Sequence, residues 1–281
     1  MRVIRSVLVL SSALLLAACT STAPVKPTTH DVAAHDNLNA TIWMQNSAEY
    51  QASVMGIYAA ARRSLDLALA DPTWNALPYG EAASGFENKP AAIIVDADET
   101  IIDNSPFQAR SVIDGQDYSH ERWLEWVNSR KAKALPGALA FANYAKEKGV
   151  TIFYVTNRDA PYEVESTIAN LRLLGFPVAE DASNVILRGD ARAPSREKGE
   201  GRGFVDRNYR VVVLMGDNLG DFVDGYGGTT QERQALIEPY AAWWGERWFM
   251  LPNPSYGSWQ NAIQRGCDEG VSARECARLS L

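Results

Sequence analysis

Between residues 91 and 251 the chain alternates short, β-rich apolar runs with stretches of helical periodicity. The runs are AAIIV (91–95), TIFYV (151–155), NVIL (184–187), RVVVLM (210–215) and RWFML (247–251). Unbroken apolar runs of this length suit strands buried on both faces, as in a parallel sheet covered by helices on its two sides. Helices fit 136–148, 161–174 and 229–240. The alternation predicts an α/β fold, a Rossmann-like parallel sheet with helices on both faces. Ahead of it, Ile42, Trp43, Tyr50, Val54, Ile57, Tyr58, Ala61, Leu65 and Leu69 recur at three- and four-residue steps, and Asp71-Pro72 follows. That spacing predicts one N-terminal helix over 39–70. Residues 72–90 read as loop. Residues 104–134 are too many for a simple strand-to-helix loop, and Trp123, Leu124, Trp126 and Val127 predict a mostly helical inserted cap there.

The first 18 residues stand apart from this pattern. Arg2 and Arg5 precede an apolar or small stretch over 7–18, which is shorter than the roughly 20 residues of a spanning helix. It ends in Leu16-Ala17-Ala18-Cys19, which resembles a bacterial lipobox. The resemblance implies a lipoprotein signal peptide over 1–18, cleavage before Cys19 and lipidation of Cys19. More than one acyl chain is what stable anchoring in a lipid bilayer requires. Thr20 rather than Asp follows the cysteine, which by the sorting pattern of such proteins implies the outer membrane of a Gram-negative envelope. An ordinary signal peptide that happens to contain a cysteine is the alternative. Residues 19–38, rich in Thr and Pro over 20–30, read as a tether, and 39–281 as one domain.

Cys267 and Cys276 are the remaining cysteines. In an oxidising compartment an even pair reads as a disulfide. On one straight helix they would stand about 13 Å apart, too far to bond. Gly270 can break such a helix, and Ser272-x-x-Glu275 forms a capping box that starts another. A helical hairpin of this kind would bring the sulfurs together; two free thiols are the alternative. His30, His35 and His120 have no clustered spacing, which argues against zinc. Without its first 18 residues the chain holds 25 basic and 34 acidic residues. That balance argues against nucleic acid as a partner, without excluding a local cationic site for phosphate.

In an open α/β sheet, ligands bind beyond the C-terminal ends of the strands. Asp96-Ala97-Asp98-Glu99-Thr100 follows the first run, Thr156-Asn157-Arg158-Asp159 the second, and Gly216-Asp217-Asn218-Leu219-Gly220-Asp221 the fourth. Asp96, Asp98, Asp217 and Asp221 would therefore converge on one sheet edge. Unpaired, they would push each other's pKa upward. A hard cation resolves the conflict, and an all-oxygen donor set points to Mg²⁺ or a similar ion. D-x-D at a strand end is a weak signal alone. Its combination with the polar triplet at 156–158 and with G-D-x-x-x-D is much stronger.

IVDADETIIDNSPF, FYVTNRD, LMGDNLGDF and LPNPSYGSW, with WMQNSAEY and RWLEWVNSRKAKALPGALAF, resemble the bacterial class C (lipoprotein) acid phosphatases of the haloacid dehalogenase superfamily. The resemblance runs from about residue 42 to 265. It implies that Asp96 is a nucleophile forming an aspartyl-phosphate and a metal ligand. Asp98 would be the general acid and base, its backbone carbonyl also on the metal. Asp217 would bind the metal directly, and Asp221 through water or by positioning its neighbours. Thr156 and Asn157 would hold phosphoryl oxygens. The family's lysine falls in Ser195–Arg202, a stretch made unusually Gly-rich here by Gly199 and Gly201. Lys198 is the expected cation and Arg202 the second choice; both as solvated helix charges is the bland alternative.

Tyr256, Trp123 and Arg158 are the expected substrate-binding residues, with Tyr226 also near the site. Trp126 reads as core. Aromatic faces stack nucleobases, and the resemblance implies small phosphomonoesters, nucleoside 5'-monophosphates among them, as substrates. A surface lipoprotein that captures a ligand without turnover is one alternative; a phosphotransferase of the same superfamily is another. The oligomeric state stays open, with a homodimer among the options. Cys19→Ser is expected to abolish lipid labelling and to leave the precursor uncleaved or mislocalised, as read by metabolic acyl labelling and fractionation.

Overall fold

The computed structural model describes residues 35–281. The signal peptide, Cys19 and most of the tether lie outside the described residues. The central sheet contains five parallel strands, β1 (Ala91–Val95), β4 (Thr151–Asp159), β5 (Val185–Arg188), β6 (Arg210–Gly216) and β7 (Trp248–Met250), in the order β5-β4-β1-β6-β7. Two-residue strands β2 (Ile102–Asp103) and β3 (Lys133–Ala134) pair antiparallel beside it. From β1 the chain first builds outward through β4 and β5, then returns to place β6 on the other side of β1. The direction of winding therefore reverses between β1 and β6, and the crevice beyond their C-terminal ends is where such a sheet binds ligands.

Strand alternation sends successive residues of β1 into two cores. Ile93 and Val95 join Ile152, Tyr154, Val213 and Met215 on one face, under α2 (Ala48–Ala70), α5 (Ala138–Glu147) and α6 (Ala160–Leu174). Ala92 and Ile94 join Phe153, Val155, Val211 and Leu214 on the other, beneath α7 (Gly199–Asp206) and an aromatic group of Phe222, Trp243 and Trp248. Both faces are covered, which is why these strands carry no polar alternation.

The N-terminal helix is two helices. α1 (Leu38–Asn46) ends at Ser47, whose extended backbone breaks the helix and whose hydroxyl accepts from the Tyr50 N–H to start α2. Ser is a strong N-cap residue, and that local bond overrides a periodicity that runs straight through position 47. The C-terminal end of α2 is held by one buried side chain. Arg210, at the start of β6, donates from Nη1 to the carbonyls of Ala68, Asp71 and Trp74 at 3.1, 2.7 and 3.1 Å.

Residues 105–132 form an excursion from the sheet. It leaves through β2 and returns through β3, carrying α3 (Ser105–Asp114) and α4 (His120–Ser129), with α4 packed on α6. At the other end of the chain, α8 (Thr230–Ile237) precedes β7, and α9 (Ser258–Arg265) and α10 (Ala273–Leu279) follow it. Ser272 caps α10 by accepting from the Glu275 N–H, and Cys267 is disulfide-bonded to Cys276 with Cα atoms 5.9 Å apart. Arg210→Met should destabilise the protein by about 2–4 kcal/mol, because the carbonyls of Ala68 and Trp74 lose a buried donor and that of Asp71 keeps only the Trp74 N–H. Urea unfolding would measure it, and Arg210→Lys should recover part of the loss.

Candidate active site

The residues immediately after β1 and β6 meet at the crevice. Asp96 is buried, with its backbone N–H on the Met215 carbonyl of the neighbouring strand. Asp217 and Asp221 come from the loop after β6, and one carboxylate oxygen from each of Asp96, Asp217 and Asp221 lies within 4.8 Å of the other two. Gly216 closes β6 as the only side-chain-free option. A Cβ there would lie 2.1 Å from Asp221 Oδ2. Asp221 is turned inward because its Oδ2 accepts from the Asn218 N–H at 2.9 Å. Asp217 accepts from Asn253 Nδ2 at 2.8 Å.

Lys198 is buried among these acids. Its Nζ lies 2.5 Å from Asp96 Oδ1, 2.6 Å from Asp221 Oδ1 and 2.7 Å from the Val155 carbonyl. The helix that follows it, α7, is fixed by Arg202. That guanidinium is fully buried on Glu81 at 2.7 Å and Asp224 at 2.9 Å, away from the acids, so the second-choice cation is part of the scaffold. The glycines of the stretch have a packing reason. A Cβ at Gly201 would lie 2.9 Å from Val155 Cγ1, and one at Gly199 would lie 2.2 Å from Asp224.

Asp98 is held by two donors. Arg158 Nη2 lies 2.8 Å from Asp98 Oδ1 and Asn104 Nδ2 lies 2.6 Å from the same oxygen. Arg158, expected at the substrate, borders the cavity but has its nitrogens engaged within the protein. It is buried, and Nε and Nη2 are on Asp98 while Nη1 is on Thr167 Oγ1 at 3.0 Å. Thr156 is buried and Asn157 exposed at the end of β4. Both line the same open cavity of about 1240 Å³ as Asp96, Asp98, Lys198, Asp217, Asp221, Trp123, Tyr226 and Tyr256. Trp123 donates to Glu163 at 3.0 Å and presents an edge to Phe107. Trp126 packs on the core and donates to Asn104 Oδ1 at 2.7 Å.

Sequence reasoning missed Glu99. It is fully buried with a positive φ of 51°, and its carboxylate accepts from the Asn104 N–H at 2.7 Å and from the Tyr256 hydroxyl. Asn104, Asn253 and Glu163 were also missed as partners. Glu99, Asn104 and Asn253 lie inside the quoted motifs, but nothing in their spacing marks a buried carboxylate or amide.

A family model, the HAD superfamily, subfamily IIIB (acid phosphatase), matches residues 6–259. The chain belongs to this family. Its structure is similar to the class C acid phosphatase from Bacillus anthracis, 32% identical with a TM-score of 0.73 over 87% of this chain and 94% of that one. The same enzyme with tungstate bound gives 31% identity and a TM-score of 0.74, over 87% of this chain and 96% of that one. Among curated proteins, a stem 31 kDa glycoprotein from Glycine max is 26% identical over 167 residues, covering 58% of each chain. Acid phosphatase 1 from Solanum lycopersicum is 26% identical over 167 residues, covering 58% of this chain and 57% of its own. The chain thus spans a little over half the length of the curated relatives it matches.

In this acid phosphatase family member, five carboxyl groups (Asp96, Asp98, Glu99, Asp217 and Asp221) face two cations, Lys198 and Arg158. Burial pushes the Asp96 carboxyl up; Lys198 pulls against that, Asp221 and Asp98 push further, and it stands at about 7. Burial, then Asp221 and Asp96, hold Asp217 well above the usual carboxylate range. Burial and the charges of Asp98 and Asp217 do the same to Glu99. Burial alone would lower Lys198, but Asp221 and Asp96 hold it above its ordinary value and keep it charged. The excess negative charge and the all-oxygen set fit a hard divalent cation held by Asp96 and Asp217, with Asp221 adjacent.

The raised Asp96 carboxyl binds its proton more tightly in the folded than in the unfolded chain. Its stabilising contribution is therefore full below about pH 4 and is lost as pH rises through about 7. In EDTA, Tm should be lower at about pH 8 than at about pH 5, and Asp96→Asn should reduce that difference, Asp217 and Glu99 keeping the rest. A divalent cation should raise Tm more at the higher pH, because protons no longer compete for its ligands. Differential scanning calorimetry across this range checks both.

Proposed function

We propose that the protein is a Mg²⁺-dependent acid phosphatase that hydrolyses small phosphomonoesters through an aspartyl-phosphate on Asp96. The observation that carries this reading is the cluster of Asp96, Asp217 and Asp221 around a buried lysine at the β1–β6 crevice, with Asp98 lining the same cavity. Tungstate, which the Bacillus anthracis relative binds, is a tetrahedral oxyanion like phosphate, and that supports a phosphoryl site here.

The substrate's phosphoryl group sits beside Asp96, with Thr156 and Asn157 donating to its oxygens and Lys198 offsetting its charge. An Asp96 oxygen attacks phosphorus as the bond to the alcohol oxygen breaks. Asp98 gives its proton to that oxygen and is left as a carboxylate. Asp98 then takes a proton from water, whose oxygen attacks the aspartyl-phosphate and releases inorganic phosphate. Asp221 holds Lys198 in line with Asp96. Held by Asp96, Asp217 and the Asp98 backbone carbonyl, Mg²⁺ would supply charge neutralisation for the transferring group.

The cavity rim supports aromatic substrates. Tyr256 lines the opening with its hydroxyl anchored on Glu99, and Trp123 and Phe107 line another part of it. A nucleobase of a nucleoside 5'-monophosphate would stack there. The lipobox-like segment ending at Cys19 supports an outer-membrane-anchored form, with the tether over 19–38 carrying the domain.

Asp96→Asn should reduce p-nitrophenyl phosphate turnover to below about 1% of wild type, since no other group can form the acyl phosphate. EDTA should abolish turnover and added Mg²⁺ restore it. Retention of more than a few per cent by Asp96→Asn would overturn the aspartyl-phosphate mechanism. Binding of phosphate esters without turnover in the Mg²⁺-loaded wild type would favour a non-catalytic binding protein.

A further inference from the structure

Arg158 has a geometry that a phosphate-binding arginine would not have. Its side chain is 1% exposed. Thr156, Asn157 and Arg158 all border the cavity, but Thr156 and Arg158 are buried and Asn157 is exposed. Each of the three guanidinium nitrogens has a protein partner: Nε and Nη2 on Asp98, Nη1 on Thr167 Oγ1. Arg158 also lies 5.5 Å from the centroid of the Trp123 ring.

We propose that Arg158 is a positioning residue, whose guanidinium fork fixes the plane of the Asp98 carboxyl for proton transfer, rather than a group that binds the substrate's phosphate. The inference rests on Asp98 being the general acid. An aspartate side chain that is 17% exposed at a cavity edge could swing about two torsions. A planar fork with two contacts removes that freedom, where an ammonium would supply a single point charge.

The contacts on the two oxygens of Asp98 are unequal. Oδ1 accepts from Arg158 Nη2 at 2.8 Å, Arg158 Nε at 3.1 Å and Asn104 Nδ2 at 2.6 Å. Oδ2 accepts only from Arg158 Nε, at 3.1 Å. With Oδ1 saturated, Oδ2 is the oxygen with coordination room to meet the leaving oxygen. As the Asp96–phosphorus bond forms and the phosphorus–oxygen ester bond breaks, the proton passes from Oδ2 to the leaving oxygen. The products are the alcohol, phosphorylated Asp96 and the Asp98 carboxylate held on Arg158.

The test compares kcat/KM for an alkyl phosphate and for p-nitrophenyl phosphate in the Mg²⁺-loaded enzyme. An alkoxide needs a proton to leave, whereas p-nitrophenolate departs as the anion. kcat/KM reports the phosphoryl-transfer step and not the later hydrolysis. Arg158→Lys keeps the charge and loses the fork. Its kcat/KM should fall about 10- to 100-fold on the alkyl ester, within the range of general acid catalysis, and less than about threefold on the aryl ester. The inhibition constant of inorganic phosphate should stay within about twofold.

Equal losses on both esters, or a phosphate inhibition constant raised tenfold or more, would overturn the proposal and return Arg158 to the phosphate site. Thr167→Val frees Nη1 without emptying space. It should shift the ester ratio in the same direction by about threefold, and an unchanged ratio counts against the proposal even if Arg158→Lys does not fold. Asp98→Asn is the reference. If it fails to discriminate between the esters, the general-acid reading fails; if it discriminates and the Arg158 and Thr167 variants do not, only the positioning role fails.

Discussion

Lys198 bridging Asp96 and Asp221 is the contact on which the rest of the crevice depends. A sheet whose winding reverses between β1 and β6 delivers aspartates from two adjacent strands to the same point. Without a buried cation these groups could only protonate or move apart. The ammonium pairs with Asp221 Oδ1 while the Asn218 N–H holds Oδ2, fixes one oxygen of Asp96 in direction, and leaves Asp96 bordering the cavity. It does not neutralise the cluster. Asp96 remains at about 7 with Lys198 in place, and that residual imbalance is what a metal ion would relieve.

Putting a lysine in that position requires its own scaffold. Arg202, one turn further along α7, is buried on Glu81 and Asp224, and Asp224 also accepts from the Gly199 N–H at 2.9 Å. A buried arginine left without its acids would be strongly destabilising, so this triad fixes the helix start firmly. Small residues at 199 and 201 let the helix approach Asp224 and Val155. The charged Ser195–Arg202 stretch therefore separates into one cation that faces the chemistry and one that holds the helix.

The sheet was legible because its strands are buried on both faces and carry runs that no amphipathic helix would show. The meeting of Asp96, Asp217 and Asp221 was legible by reading the residues after each run, whereas Asp98, expected with them, lines the same cavity with its carboxylate held by Arg158 and Asn104. The break at Ser47 was not legible, since the apolar period continues across it and only a single side-chain cap interrupts the helix. Nor was the division of labour between Lys198 and Arg202, because two cations four residues apart on one helix differ only in what lies above them. Glu99 was hidden for a related reason. An acid within an acidic motif looks like another ligand, and its burial under Tyr256 depends on a loop more than 150 residues away. Arg158 follows the exposed Asn157 in a polar triplet, and only the fold tells which of the two is buried.

The excursion over residues 105–132 has an asymmetric attachment to the site. It departs and returns through a two-residue pair, 102–103 against 133–134, so the sheet carries none of its weight. Its remaining attachments are side-chain contacts, among them those of α4 on α6 through Trp123 to Glu163 and Asn128 to Ser166. Trp126 within it reaches Asn104 on the stem: the indole holds the amide, and the amide holds Asp98. Changes to the cavity rim supplied by this excursion are therefore constrained by the contacts on α6 and by the Trp126–Asn104–Asp98 chain. One hydrogen-bonded pair thus links a rim built outside the sheet to a carboxylate at the sheet's edge.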